Sequence, residues 1–328
     1  MVQGSAAGKM DNGRVFLIPA VSDQKGRTSI MGAKRRACFF ILLAAALWGV
    51  VGIFVRRLSA AGFSAMQIVA IRIAVPAIAD TLFLLAADRS SLCVRLRDCY
   101  LFVLTGVCSF ALFNWCYFNA IEASSLGVAA ILLYTAPAIV NVLSVWGFRE
   151  RLTLRIGIAV AATFLGCALV TGVGAETRLS VRGIVFGLGS GVGYALYTVF
   201  RKLALKKYSS RTVTVYTFLF AAAAAIPLAG FDGKALALFA QPSVLLLSLG
   251  IGSLCCLFPY LFYAIGLSQI EAGTAAVMAM LEPVVAALLG IFLYQEAFDI
   301  RKAAGIVLIV AAVAAQRPRS EKQTSAGS

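Results

Sequence analysis

Ten apolar stretches, most of them about 20 residues long, follow one another along the chain with short polar connections between them. A helix of that length spans the hydrocarbon core of a bilayer. Lipid offers the backbone no hydrogen bonds, so a spanning segment must satisfy its own N–H and C=O groups, as a helix does. The pattern therefore predicts an all-α integral membrane protein with ten transmembrane helices. We place them at residues 37–55, 67–87, 99–121, 125–148, 154–173, 182–200, 212–230, 243–267, 273–294 and 300–316.

The composition leads to the same class of protein. Of the 328 residues, 61% are hydrophobic and only 13% are charged, whereas a soluble domain is about half apolar and about a quarter charged. The net charge of +15 does not predict a nucleic-acid partner, because the basic residues lie between the apolar stretches. The chain has no histidine, and its eight cysteines lack the spacing of a metal site. No metal, no cofactor and no enzymatic activity are therefore predicted.

The basic residues also predict the orientation. Counted over loops and tails, seventeen Lys and Arg fall on the side of the N-terminus and seven on the other side. An excess of Lys and Arg marks the cytoplasmic side of a membrane protein. Both termini are therefore expected in the cytoplasm, and the chain in a cell membrane, taken to be the inner membrane of a bacterium.

Both ends of the chain are polar. Residues 1–33 and 317–328 lack periodicity, and we expect them to be disordered cytoplasmic tails. Met31 is an alternative start of translation. The basic residues 34–36, followed by apolar residues, also have the pattern of a signal peptide. A first transmembrane helix is the preferred interpretation, because this segment has a partner in an internal repeat.

The second half of the chain repeats landmarks of the first half at a constant offset of 146 positions. The matched pairs are Gly127 and Gly273, Pro137 and Pro283, Glu150 and Glu296, Trp48 and Tyr194, Phe54 and Phe200, and Arg56 and Lys202. The offset divides the chain into two five-helix repeats, residues 34–175 and 176–316. Because each repeat crosses the membrane five times, the second copy is inserted upside down. Inverted repeats are typical of secondary transporters, whose substrate site lies near the midplane.

Glu282 and Pro283 lie near the middle of the ninth apolar stretch. A charged side chain there costs about 2.5–3.5 kcal/mol on insertion scales, unless neighbouring helices or a water-filled cavity accommodate it. Glu282 is therefore the first candidate for substrate binding, as a counter-ion for a cationic solute or as the carrier of a coupling proton. The alternative is a carboxyl that a neighbouring helix holds for packing. Pro137 and Pro283 are expected to interrupt their helices as hinges, and Ala136 is the counterpart of Glu282 in the first repeat.

Other candidates are polar or aromatic side chains inside the apolar stretches. Arg72 and Asp80 lie eight positions apart, on roughly one face of the second helix. Arg72 is expected to hold a substrate carboxylate, the alternative being a side chain that extends to the interface. A cavity with aromatic walls and a few fixed polar groups is the usual site for a small ligand, although each aromatic taken alone also suits a packed core. The candidates for this cavity are Trp48, Tyr134, Tyr194, Asn114 and Trp115.

Four residues are expected to have structural roles. Glu150 and Glu296 lie at helix ends on opposite faces of the membrane, where they are expected to pair with bases or to cap a neighbouring helix. Gly187 and Gly191 have the small-xxx-small spacing that lets membrane helices pack closely. The glycine-rich run around them lacks the GxGxxG pattern of a nucleotide-binding loop.

Several of these segments together match a known family. They are Leu47-Trp48-Gly49, Ile71-Arg72-Ile73, Tyr134 to Pro137 leading to Glu150, and Leu281-Glu282-Pro283 leading to Glu296. From Lys34 to Gln316 the chain resembles the drug/metabolite transporter superfamily, specifically the ten-helix EamA-type permeases. The resemblance implies a 5+5 inverted repeat whose central cavity is formed mainly by the first four helices of each half, with the fifth and tenth helices at the periphery.

The residues and the resemblance together predict a secondary transporter of a small metabolite that works by alternating access, with proton-coupled export as one form. The family moves amino acids, nucleosides, cofactors and amines, so the resemblance does not fix the substrate. An arginine and a glutamate in one bundle favour an amino-acid-like or amine solute. The alternative is an uncoupled facilitator or channel for another metabolite, such as a nucleoside or vitamin. The expected partners are the substrate, the bilayer and a coupling proton, and a homodimer is kept as an option.

Overall fold

The computed structural model describes residues 21–172 and 180–316, and within these ranges the regular structure is entirely helical. The first half contains α1 (Val21–Gly49), α2 (Val51–Ala61), α3 (Ala65–Ala87), α4 (Cys99–Thr105), α5 (Leu112–Ala123), α6 (Leu126–Leu133), α7 (Ala136–Phe148) and α8 (Leu154–Thr171). The second contains α9 (Val181–Leu205), α10 (Ser210–Leu228), α11 (Gly233–Leu238), α12 (Pro242–Gly252), α13 (Phe258–Leu267), α14 (Ala272–Ala279), α15 (Glu282–Tyr294) and α16 (Ile300–Ala315). Nine helical segments of the described chain are long and apolar enough to cross a membrane, and α16 has 16 residues. The predicted all-α membrane fold is confirmed.

Two prolines explain why the fourth and ninth predicted helices are each split in two. An α-helix bonds each N–H to the carbonyl four residues earlier, and proline has no N–H. The carbonyls that lose their donor are those of Leu133, four positions before Pro137, and Ala279, four positions before Pro283. These are the last residues of α6 and α14. Each break therefore leaves the N-terminus of a new helix inside the bundle.

Irregular features also recur at the repeat offset. A π-helical segment, Gly106–Ala111, joins α4 to α5, and another, Ser253–Leu257, joins α12 to α13. In the first segment the Ser109 hydroxyl donates to the carbonyl of Leu104 at 2.7 Å, five residues earlier. The residues that end α7 and α15, Arg149 and Gln295, both adopt positive φ, at 56° and 53°. The repeat thus extends to local backbone geometry.

The packing of α8 against α16 shows that the two halves are inverted. These helices are repeat equivalents, and Gly166 of α8 meets Gly305 of α16 so closely that a Cβ at position 166 would lie 2.8 Å from the Gly305 carbonyl oxygen. Ala159, two turns earlier in α8, shares an apolar cluster with Ala312, two turns later in α16. The helices are therefore antiparallel. Because α8 and α16 are the equivalent last helices of the two repeats, the rotation that superposes one repeat on the other turns it upside down. Each half also packs its third span on the first span of the other half, α5 on α9 and α13 on α1.

Some segments differ from the predictions or lie beyond the described ranges. Residues 21–33, predicted as part of a disordered tail, belong to α1, since no proline interrupts the chain between position 21 and the first apolar stretch. The remaining tail residues, 1–20 and 317–328, and the predicted junction at residues 175–176 lie outside the described residues. The sixth span continues to Leu205 rather than Phe200, which places Arg201 on a helix rather than in a loop.

Candidate functional site

Glu282 is the first residue of α15, at the break in the ninth span. The positive end of the helix dipole favours a negative charge at this position. Its side chain is only half-buried, and among the described residues nothing donates a hydrogen bond to its carboxylate. Gly49 lets the first span approach here, because a Cβ at that position would lie 2.9 Å from the Glu282 carbonyl oxygen. Within the described residues, the Glu282 carboxylate is thus left without a hydrogen-bond donor.

Arg72 brings a positive charge to the same region. Its charge interacts with that of Glu282, but the two side chains form no direct ion pair within the described residues. A terminal nitrogen of Arg72 lies 3.5 Å from the hydroxyl of Tyr260, and its Nε is buried with no partner among residues 21–172 and 180–316. The pair therefore offers an anionic and a cationic group, each with unused hydrogen-bonding capacity.

Three of the predicted aromatic residues lie in the same part of the bundle. Tyr134 and Tyr194 lie within electrostatic range of Glu282. Trp48 packs edge-on against Tyr260, with the ring centroids 5.0 Å apart. In the described part of the chain, the Trp48 Nε1 and the Tyr194 hydroxyl are buried without hydrogen-bond partners. Buried polar atoms are almost always paired, so these two groups are candidates for hydrogen bonds to a bound ligand.

Of the two remaining candidates, Asn114 is buried and Trp115 is exposed. The Asn114 amide donates to the carbonyl of Phe110 at 2.7 Å, within its own span. Trp115 is 46% exposed and packs edge-on against Phe186 at 5.2 Å. These neighbouring positions point in directions about 100° apart on the helix, so only one of the two side chains faces the interior.

Two tyrosines of the site were missed in the sequence. Tyr260 has ring contacts with four other aromatic side chains, and Tyr117 lies within electrostatic range of both Glu282 and Arg72. The repeat offset would have indicated Tyr260, because Tyr260 lies 146 positions after the candidate Asn114. The same offset relates Tyr117 to Tyr263, whose ring packs 5.4 Å from that of Trp48.

A second charged region lies next to the site. Arg201 is completely buried and donates to the Tyr197 hydroxyl, to the Thr214 hydroxyl at 2.5 Å and to the Tyr260 carbonyl at 2.9 Å. Its charge interacts with that of Asp80, whose Oδ2 is buried without a partner. A guanidinium with neutral partners on three helices holds α9, α10 and α13 together.

Glu150 connects the two halves at one end of the bundle. Its carboxylate lies 2.6 Å from Nζ of Lys202 and accepts from the backbone N–H groups of Ala272 and Gly273, at 3.0 and 3.4 Å. It therefore caps the first turn of α14, a position where the helix dipole favours an anion. Lys202 also donates to the carbonyl of Ile270 at 2.8 Å.

The equivalent contact at the other end is looser. Glu296 lies 2.9 Å from a guanidinium nitrogen of Arg56 and 3.6 Å from Nζ of Lys302. The Arg56 and Glu296 side chains are 54% and 37% exposed, against 17% and 13% for Lys202 and Glu150. Among the described residues, no backbone N–H of α6 donates to Glu296; the Ser125 hydroxyl accepts from Val128 N there instead. The two ends of the bundle are thus in different conformations.

Gly187 and Gly191 lie where α9 crosses the break between α6 and α7. A Cβ at position 187 would collide with the side chain of Leu132, and one at position 191 would lie 2.9 Å from the Leu132 carbonyl oxygen. The small residues therefore let the sixth span contact the interrupted backbone of the fourth directly.

Comparison with known proteins places the chain in a family. The family model described as "EamA-like transporter family" matches residues 35–172 and 181–315. An "Uncharacterized transporter YwfM" of Bacillus subtilis is 28% identical over 88% of this chain and 96% of its own length. An "Uncharacterized transporter" of Archaeoglobus fulgidus is 30% identical over 60% of this chain and 69% of its own. A solved structure titled "Crystal structure of protein", 18% identical, covers 85% of this chain and 95% of its own with a TM-score of 0.71, and so shares the fold. The chain is therefore a multi-pass integral membrane protein that belongs to the EamA-like transporter family.

Proposed function

We propose that the protein is a secondary transporter of a small zwitterionic or amine solute, with an amino-acid-like compound as the preferred substrate. The observation that carries this proposal is a chain of contacts that brings the two charges into one region: Arg72 contacts Tyr260, Tyr260 packs on Trp48, and Gly49 next to Trp48 contacts the backbone of Glu282. Within the described residues the Glu282 carboxylate accepts no hydrogen bond. Glu282 would hold the ammonium group of the substrate and Arg72 its carboxylate. The unpartnered Trp48 Nε1 and Tyr194 hydroxyl would supply the remaining polar contacts inside aromatic walls.

Alternating access is supported by the difference between the two ends. In an inverted repeat, exchanging the conformations of the halves produces the opposite-facing state. At one end Glu150 caps α14 and pairs with the half-buried Lys202, whereas the Arg56–Glu296 pair at the other end is exposed. We infer that Glu296 caps α6 in the other state while Glu150 releases α14. With the N-terminus in the cytoplasm, the Glu150–Lys202 end is cytoplasmic and this conformation faces outward.

Ligand binding to purified protein tests the substrate class. Thermal unfolding in detergent is measured with amino acids, amines, nucleosides and vitamins, since a ligand that binds only the folded state adds about 1.4 kcal/mol at ten times its Kd. A zwitterion should stabilise the wild type but neither Glu282→Gln nor Arg72→Gln. A simple amine should lose its effect in Glu282→Gln alone. Glu122→Gln, which removes an exposed carboxyl, is the matched control and should behave as the wild type.

The outcomes decide between sites. A ligand whose stabilisation survives both Glu282→Gln and Arg72→Gln binds elsewhere, which would exclude the central site. If only nucleosides or vitamins stabilise the protein, the proposed zwitterionic or amine substrate is wrong. The location of the site at Glu282 and Arg72 is not contradicted by that result. Proteoliposome counterflow then separates transport modes, because a carrier exchanges labelled for unlabelled solute while a channel does not concentrate the label.

Proton coupling is a further part of the proposal and rests on Glu282. A carboxyl that binds either the substrate ammonium or a proton, but not both, gives antiport. Uptake into proteoliposomes under an imposed pH gradient should exceed uptake without one in the wild type. The gradient should have no effect in Glu282→Gln, and a gradient effect of wild-type size in that variant would show that another group carries the proton.

A further inference from the structure

An apolar groove opens on the outer surface of the bundle next to the break in the ninth span. It has a volume of about 520 Å³ and lies between α1, the junction of α14 with α15, and α16. The side chains that form most of it are Phe39, Leu42, Met278, Leu281, Val310 and Val313. Phe39 and Val310 are exposed, so the groove faces the surroundings of the helix bundle, which in the membrane are lipid tails.

One end of the groove is positively charged. Of the residues that the structure describes, Arg35 is the one charged residue that lines it, and Lys34 and Arg36 beside it are exposed as well. Among the described residues none of these three bases has a hydrogen bond or an ion pair with the protein. Arg35 lies just before the apolar part of α1, at the depth where lipid headgroups meet the hydrocarbon. The groove therefore combines an apolar floor with unpaired cations at the headgroup level.

We infer that the groove binds a phospholipid with an anionic headgroup, with an acyl chain against Leu42 and Leu281 and the phosphate at Arg35. Charge decides the class of lipid, because a zwitterionic headgroup would place its own cation among three bases. Basic residues next to a membrane attract anionic lipids in this way.

The position of the acyl chain links the lipid to the helix break. Leu281 is the residue that precedes α15, and Glu282 follows it directly. Leu42, Leu281 and Tyr134 all pack against one apolar cluster, which includes Cys167 and Met280. A bound acyl chain would therefore form the outer wall of the break, with the candidate substrate site on the other side of one layer of side chains.

Native mass spectrometry and thermal unfolding of the full-length protein test this inference. The probes are palmitoyl-oleoyl phosphatidylglycerol and palmitoyl-oleoyl phosphatidylcholine, which share acyl chains and differ in charge. We expect phosphatidylglycerol to be retained more strongly and to raise the unfolding temperature more. Arg35→Gln should weaken phosphatidylglycerol binding about fivefold, the factor for one basic residue near an anionic surface. Arg35→Gln should leave phosphatidylcholine binding unchanged.

Two further variants make the result specific. Ala314 also lines the groove, and Ala314→Trp should fill it and reduce the retention of both lipids. Arg151→Gln removes an exposed base outside the groove and should change neither. Equal retention of the two lipids by the wild type, or an equal loss in Arg35→Gln and Arg151→Gln, would overturn the inference. Retention that persists in Ala314→Trp would show that the acyl chain lies elsewhere and would overturn it as well.

Discussion

The Glu150 carboxylate and the Lys202 ammonium lie 2.6 Å apart and join the two halves of the chain at one end of the bundle. The repeat relates this pair to Glu296 and Arg56 at the other end, with the roles of the halves exchanged. In both pairs the glutamate follows the interrupted helix of one half and the base belongs to the first span of the other. The two ends are therefore versions of one contact, and their unequal burial measures how far the molecule departs from symmetry.

The first prediction concerns this inequality. Glu150→Gln should lower the free energy of unfolding by about 1–3 kcal/mol, because the carboxylate makes charge-assisted hydrogen bonds in a partly buried position. Glu296→Gln, at the exposed end, should cost less than about 1 kcal/mol. Denaturant titration of purified protein in mixed micelles measures both. Equal losses for the two variants would contradict the assignment of a capped and an exposed end.

The contact between α8 and α16 gives the second prediction. Gly166→Leu should destabilise the protein by about 1–3 kcal/mol, because any side chain there meets the backbone of Gly305. Gly157 lies on the same helix with nothing within 4 Å of its missing Cβ, so Gly157→Leu is the matched control. Thermal unfolding in detergent should separate the two variants clearly, and similar midpoints would show that the helices are not packed through Gly166.

The break at Pro283 gives the third prediction. Pro283→Ala supplies an N–H for the carbonyl of Ala279, so α14 and α15 should tend to join into one helix. We expect slower hydrogen exchange at residues 280–285 and a weaker stabilisation by substrate, since Glu282 would no longer start a helix. Pro242→Ala at the start of α12, where proline is tolerated, should change neither property. Unaltered exchange at residues 280–285 would mean that the proline does not maintain the break.

Buried Arg201 gives the fourth prediction. Arg201→Lys keeps the charge but cannot reach the Tyr197 hydroxyl, the Thr214 hydroxyl and the Tyr260 carbonyl together. The cost should be about 3 kcal/mol, as for other losses of partners around a buried charge. Arg97→Lys is the same exchange at an exposed position and should have little effect. Denaturant titration gives both values, and equal stability of the two variants would argue against a packing role for Arg201.

The fifth prediction separates two tryptophans. Trp48→Phe removes a buried N–H without a protein partner and should weaken substrate binding roughly tenfold, about 1.4 kcal/mol. Trp115→Phe should leave binding unchanged, because that side chain is exposed and packs against Phe186. Ligand-dependent thermal shifts compare the two. A loss of binding in Trp115→Phe would restore Trp115 to the site.

Hydrophobic patterning was sufficient to predict the spans, because bilayer thickness constrains length far more strictly than a soluble core does. The helix breaks at Pro137 and Pro283 were also predictable, because a proline inside a helix always removes one backbone hydrogen bond. The inversion followed from the odd number of crossings per repeat, without any knowledge of packing.

Side-chain directions were harder to predict. Trp115 was assigned to the cavity by residue type together with its neighbour Asn114, although adjacent residues of a helix point in directions about 100° apart. Arg201 was counted as a loop base because a charge near the end of an apolar stretch normally extends to water. Only three-dimensional packing supplies the hydroxyls and the carbonyl that keep it inside. Tyr260, in contrast, could have been found from the sequence by following the offset from Asn114.

The reciprocal pairing of the halves also has a consequence for biosynthesis. Glu150 finds Lys202 52 positions later in the chain and the N–H of Ala272 122 positions later. While the ribosome is still producing the second half, the first half therefore carries a carboxylate whose partners have not yet been made. A chain truncated after α8 would leave that carboxylate at the membrane surface without Lys202 and without the α14 backbone N–H groups. The first half can therefore form its final contacts at this end only after α9 and α14 have been synthesised.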